Sequence, residues 1–226
     1  MSAPSGSAAW SGQRGAVSRL LLLRHGQTPL SVEKRYSGLG DPALTDLGLA
    51  QADAAAERMA ARGGIDAILC SPLLRARQTA EAVSKAIDVP VEVRAGLIET
   101  DFGSWEGLTF LEARERDPEL FGRWLGSADV APPGGESFET AGARVDAALT
   151  EIVAEFGGRT VLLVSHVTPI KLILQTALGV GESILYRLHL DLASLSVADF
   201  FADGNATVRL VNDTSHLGGP DSPRLR

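Results

Sequence analysis

Three short, almost unbroken apolar runs, at 20–23, 65–70 and 161–164, limit what this chain can fold into more than any other feature. Polar residues follow each run at once, and longer stretches of helical character lie between them. Such runs are too short for amphipathic helices and lack the alternation of a half-solvated strand. They read as strands buried on both faces, the pattern of a parallel sheet covered by helices. The spacing predicts strands at 19–24, 65–70, 89–93 and 161–165, with helices at 45–62, 71–87, 137–156 and 169–178. Thr45 and Ser137 stand as N-caps, Ser71-Pro72 reads as a cap followed by a first-turn proline, and Gly63-Gly64 is a stop. Two further runs, 192–201 and 207–212, flank Asp203-Gly204-Asn205, a hairpin signal. The segment 97–136 is irregular, with aromatics, glycines and two short helical stretches. The expected fold class is α/β: a three-layer α/β/α sandwich with a mainly parallel sheet and an edge hairpin.

A chain of 226 residues with 45% apolar and 22% charged side chains has the balance of an ordinary globular protein. The Ser/Gly/Ala-rich start, 1–17, reads as a flexible tail or the stub of an interdomain linker, 18–214 as one domain, and 215–226 as a second tail. No apolar run nears the roughly 20 residues needed to cross a bilayer. The run at 20–23 sits between Arg19 and Arg24 without the features of a leader peptide. A net charge of −7 argues against nonspecific nucleic-acid binding, which needs a basic face. The single cysteine, Cys70, excludes an internal disulfide and a thiolate-rich zinc site, and cytoplasmic residence is the simplest expectation.

Ligands of such sheets gather beyond the carboxyl ends of the strands. Polar groups stand at three of these ends: Arg24-His25-Gly26, Ser71 with nearby Arg75, and Ser165-His166. Two histidines and two arginines therefore converge on one rim. Guanidinium forks suit phosphate oxygens and an imidazole is a nucleophile, which points to phosphoryl transfer through a phosphohistidine. The bland alternatives are histidines satisfied in the fold and a solvated helix face for Arg75 and Arg77. A catalytic zinc would need carboxylate ligands that no motif supplies. His189, in an apolar stretch, reads as a residue of the core or of the layer just behind the site, and Cys70 as a small core residue.

Four ordered motifs over 19–212 carry a resemblance. They are LLRHGQT at 22–28; YSG at 36–38 with Leu44, Thr45, Gly48, Gln51 and Ala52; SPLLRARQTA at 71–80; and LIETDFGSWEG at 97–107. Together the chain resembles the histidine phosphatase superfamily, with its phosphoglycerate mutase-like fold. Ser31 stands where the family commonly has Asn, and Val167-Thr168 where it has Gly-Gly. The strings PPGGES at 132–137, SHVTPIK at 165–171 and LYRLHLDLASLS at 185–196 are similar to the acid phosphatase half of bifunctional ribonuclease H/acid phosphatase proteins, related to α-ribazole phosphatases. That resemblance implies fusion to a ribonuclease H domain absent from this chain.

The resemblance implies that His25 attacks phosphorus and is phosphorylated, with a backbone carbonyl near Gly26 holding its other ring nitrogen. It implies that Arg24 and Arg75 clamp the non-bridging oxygens, and that a protonated His166 adds a donor. Glu99 matches the proton donor. Gln27, Thr28, Ser37, Gly38 and the N–H of Val167 line the anion site. Trp105 and Glu106 are expected to pack and to order a loop. No metal and no cofactor is implied. The expected partner is a small-molecule phosphate monoester. The alternatives are a phosphoglycerate mutase-type transferase and a noncatalytic phospho-ligand-binding module. The short span from Glu99 to His166 favours hydrolysis, and the intact set of five residues speaks against the module. Phe102, Trp105, Phe110, Phe121 and Trp124 offer aromatic surface to a leaving group, favouring α-ribazole 5′-phosphate or another nucleotide-like ester over 3-phosphoglycerate.

Overall fold

The computed structural model describes residues 16–218. In chain order the elements are β1 (Val17–Arg24), α1 (Pro29–Val32), α2 (Asp46–Arg62), β2 (Ala67–Cys70), α3 (Leu74–Ile87), β3 (Val91–Val93), α4 (Phe110–Arg116), α5 (Pro118–Trp124), α6 (Phe138–Glu155), β4 (Thr160–Ser165), α7 (Val167–Leu178), α8 (Ile184–Arg187), β5 (Leu195–Phe201) and β6 (Ala206–Asp213). The six strands form one sheet in the order β3-β2-β4-β1-β5-β6. The first four run parallel, and β5 and β6 are antiparallel to their neighbours.

The continuous apolar runs are explained by the two faces of this sheet. Leu20 and Leu22 join one core and Leu21 and Leu23 the other, because successive strand side chains point to opposite sides. The same division splits Val161 and Leu163 from Leu162 and Val164. One face is covered by α2 and α3, through Ala55, Met59, Ala80 and Val83. The other is covered by α6 and α7 together with the aromatic segment that follows β3. The three layers and the edge hairpin stand as the sequence predicts.

Several boundaries differ for identifiable reasons. Helix α3 begins at Leu74 with Leu73 as a cap that makes no side-chain bond. Ser71 lies ahead of the N-cap: its Oγ accepts from Leu73 N–H at 3.3 Å and also lies 2.7 Å from His166 Nε2. Helix α7 begins at Val167, two residues ahead of Pro169. Order also runs past 214: Ser215–Leu217 forms a 3₁₀ turn with Leu217 buried. Val17 already belongs to β1, and residues 1–15 and 219–226 of the two expected tails lie outside the described residues. Among the described residues no helix is long and apolar enough to cross a membrane.

Candidate active site

Strand register gathers the motifs. Arg24 pairs with Ser165 across β1 and β4, and Cys70 with Val164 across β2 and β4. Backbone bonds continue one residue past the strands, from His25 N–H to Ser165 O at 3.0 Å and from Ser71 N–H to Val164 O at 3.0 Å. The loop after β1 then passes so close to the first turn of α2 that a Cβ on Gly26 would lie 2.4 Å from Gly48 O. Only glycine fits there. Thr79 Oγ1 accepts from Gly26 N–H at 3.2 Å and fixes the turn.

His25 is buried, and its Nδ1 lies 2.7 Å from Gly26 O. A carbonyl only accepts, so Nδ1 carries the proton and Nε2 carries the lone pair. Nε2 has no partner among the described residues. Burial holds the imidazole pKa well below its usual value, and the charges of Arg24 and Arg75 push it further down. His25 is thus neutral, in one tautomer, beside two cations. The His166 ring lies 5.1 Å away, centroid to centroid. Its pKa also falls well below the usual value, through burial first and then the fields of His25, Arg75 and Arg24. That shift favours the neutral ring, where the resemblance implies a protonated one.

Arg24 donates from Nη1 to Leu190 O at 2.6 Å, and burial lowers its pKa to about 10, which leaves it cationic at neutral pH. Arg75 is fully buried. It donates to Gly40 O, Ser37 O and Gly38 O at 2.7, 3.0 and 2.9 Å, so it also orders the loop at 37–40. Glu106 holds the same loop through the N–H groups of Gly38 and Gly40. Arg24 Nε, Arg75 Nε and His166 Nδ1 are buried without hydrogen-bond partners.

Glu99 is buried, and its carboxyl takes bonds from Thr100 N–H at 2.9 Å and from the Thr168 hydroxyl. Burial raises its pKa above the usual carboxylate value despite these bonds and the two arginines. Such a carboxyl retains its proton to higher pH. The sequence marks Thr168 only as part of the departure from Gly-Gly and not as a partner of Glu99, and it does not mark the Ser71 hydroxyl as a partner of His166. Their nearness to the motifs was the available signal.

Arg24, His25, Thr28, Ser37, Glu99 and Val167 line a cavity of about 650 Å³. Arg75 and His166 are fully buried beside it: the charge of Arg75 acts on both imidazoles, and the His25 ring acts on His166. Gln27 does not face it: its Oε1 accepts from Thr45 Oγ1 at 2.9 Å at the start of α2. Ser31, in the place of the family's Asn, donates its hydroxyl to Thr28 O at 2.7 Å in a capping box. Phe102, Phe110 and Trp124 line the cavity as expected, joined by Tyr36, Phe138 and Tyr186. Trp105 and Phe121 pack into the core instead, and the Trp105 indole donates to Asp117. His189 is not a core residue: its side chain is 80% exposed and sits at the cavity rim beside Asp191. Lys34 and Lys171, from outside 102–136, also line the cavity.

Residues 20–214 match the family described as the histidine phosphatase superfamily (branch 1). A bifunctional protein of Mycobacterium tuberculosis is 56% identical over 211 residues, covering 93% of this chain and 58% of that protein. The chain thus spans somewhat over half the length of that relative. Phosphoserine phosphatase 1 of Hydrogenobacter thermophilus is 35% identical, covering 88% of this chain and 94% of its own length. The crystal structure of the α-ribazole phosphatase from Shigella flexneri superimposes with a TM-score of 0.78 at 28% identity, covering 86% of this chain and 96% of that one.

Proposed function

The chain belongs to the histidine phosphatase superfamily, and from that premise we propose that it hydrolyses phosphate monoesters through a phosphohistidine on His25, without a metal ion. The observation that carries this reading is the neutral His25, its Nδ1–H held by Gly26 O, its Nε2 without a partner among the described residues, and its ring in the field of Arg24 and Arg75. Nε2 attacks phosphorus in line, the P–O bond to the leaving group breaks, and Glu99 protonates the departing alkoxide. Glu99, then a carboxylate, takes a proton from water as that water attacks the phosphohistidine, and phosphate leaves. Arg24 and Arg75 hold the non-bridging oxygens where charge is concentrated. Each buried donor without a partner costs on the order of 1–3 kcal/mol. Arg24 Nε and Arg75 Nε are two such donors, and phosphoryl oxygens are acceptors of the kind they lack. Thr28, Ser37, Gly38 and Val167 complete the anion site in this reading. Among the described residues no group of three or more His, Cys, Asp or Glu is placed to hold a metal ion. Turnover of p-nitrophenyl phosphate is therefore expected to persist in excess chelator. Loss restored by a divalent ion would overturn the metal-free mechanism.

For the substrate, the six cavity aromatics support α-ribazole 5′-phosphate or another nucleotide-like monoester, because a planar base stacks on such rings. The cytoplasm is the proposed compartment, and a fused ribonuclease H domain the proposed partner in a longer chain. The lysines at the cavity put acidic esters in the same test. We expect kcat/KM for α-ribazole phosphate and mononucleotides to exceed that for 3-phosphoglycerate and phosphoserine at equal ionic strength. The reverse ranking, or mutase activity above hydrolysis, would overturn the substrate assignment while leaving the phosphatase chemistry intact.

The pH profile follows from the two shifts. Attack needs neutral His25, whose depressed pKa moves the acidic limb well below 6.5. Leaving-group protonation needs neutral Glu99, whose raised pKa moves the alkaline limb above 4.5. Alkyl phosphates are expected to show a single-turnover profile whose acidic limb lies below that of a free imidazole and whose alkaline limb lies above that of a free carboxyl, and p-nitrophenyl phosphate to lack the alkaline limb.

A further inference from the structure

The PPGGES string at 132–137 is not part of the anion site, yet it packs against the segment that carries Glu99. Arg144, on α6, donates from Nη1 to Gly96 O and Ile98 O, both at 2.9 Å. Its Nε and Nη2 hold both carboxylate oxygens of Glu136 at 3.1 and 2.8 Å. Both partners are largely shielded, with side chains 24% and 16% exposed. Glu136 N–H in turn donates to Asp101 O at 2.8 Å, and Ser104 N–H to Pro133 O at 2.9 Å. The approach is close: a Cβ on Gly135 would lie 2.4 Å from Asp101 O, and one on Gly103 would lie 2.3 Å from Pro133 O. The backbone on both sides of Glu99 is thus gripped, at 96 and 98 by the Arg144 guanidinium and at 101 by the backbone N–H of Glu136, whose carboxylate orients that guanidinium.

We infer that Arg144 and Glu136 are positioning residues for the proton donor, setting where the Glu99 carboxyl meets the leaving-group oxygen. Neither lines the cavity, and neither touches His25. A planar fork that binds two carbonyls and a carboxylate at once is a geometry lysine cannot reproduce. The inference rests on the reading of Glu99 as general acid. Its consequence is selective: misplacing the acid harms a leaving group that needs a proton and spares one that does not.

The test is single-turnover phosphorylation of the full chain by an alkyl phosphate and by p-nitrophenyl phosphate, in Arg144→Met, Glu136→Gln and Ile152→Ala. Ile152 is a core residue of the same helix, remote from Glu99 in sequence, and serves as the control for lost stability. Arg144→Met, which releases both carbonyls, is expected to slow the alkyl substrate roughly tenfold or more, a share of the ~10²–10⁴-fold that general acid help supplies. Glu136→Gln, which loosens only the orientation of the guanidinium, is expected to slow it less. The aryl rate should change little. In the Glu99→Gln background the Arg144→Met effect should vanish, because residues acting through one another are not additive. Equal loss on both substrates, or full additivity with Glu99→Gln, would overturn the assignment. If Glu99→Gln itself spares the alkyl substrate, the fault lies in the role of Glu99. If Glu99→Gln discriminates and Arg144→Met does not, the fault lies with this inference alone. Should Arg144→Met fail to fold, Arg144→Lys, which keeps the charge but cannot bind two carbonyls and a carboxylate at once, carries the test.

Discussion

His25→Ala is expected to lower the phosphorylation rate roughly 10³-fold or more, the scale of loss when a covalent nucleophile is removed. No other described side chain of the site is placed to take over. His166 is the nearest imidazole, but its Nε2 is engaged by Ser71 Oγ and the ring is fully buried. The alanine variant keeps the backbone bonds of residue 25 to Ser165 and Ala193, so the fold should survive. The check is a label from ³²P-phosphate ester, quenched in base: wild type should retain an acid-labile, base-stable phosphoryl group that maps to His25, and the variant should retain none. Turnover near wild type in His25→Ala, or a label on another residue, would remove the proposed intermediate.

Glu99→Gln is the second large effect, and its size should depend on the substrate. General acid help is typically worth ~10²–10⁴-fold, and an alkoxide leaving group needs all of it. p-Nitrophenolate leaves without a proton, so its phosphorylation step should be nearly unchanged. The amide preserves the shape that accepts from Thr100 N–H, which separates proton supply from packing. The two substrates are compared in single turnover so that the later activation of water does not enter. Equal losses on both would remove Glu99 from proton transfer.

Much of the architecture was legible because the strands announce it. Leu20 to Leu23 need two apolar environments, and a sheet covered on both faces is what supplies them. The convergence of Arg24, His25, Ser71, Arg75 and His166 followed from parallel strands ending on one side. Side-chain allegiance was harder to read. Gln27 sits in a motif beside the nucleophile, yet a hydroxyl at the start of α2 competes for its amide and wins. Arg75 stands where an anion clamp is expected, yet three loop carbonyls already draw on it. His189 follows an apolar residue on either side, but the chain turns there toward solvent, with the left-handed Ala193 four residues on. The reach of Arg144 to Gly96 spans 48 positions, and nothing local in the sequence encodes it.

The direction of β1 has a practical consequence for attachment. Val17 opens the strand and His25 follows its last residue, so eight residues at about 3.3 Å each separate them by about 26 Å. Any module carried ahead of Val17 in a longer polypeptide joins at the rim opposite the chemistry. Leu217, by contrast, belongs to the wall of the cavity itself. Tags, reporters and fusion partners are therefore best placed upstream, where their bulk is kept clear of the substrate's entrance, and an extension beyond Leu217 starts beside it.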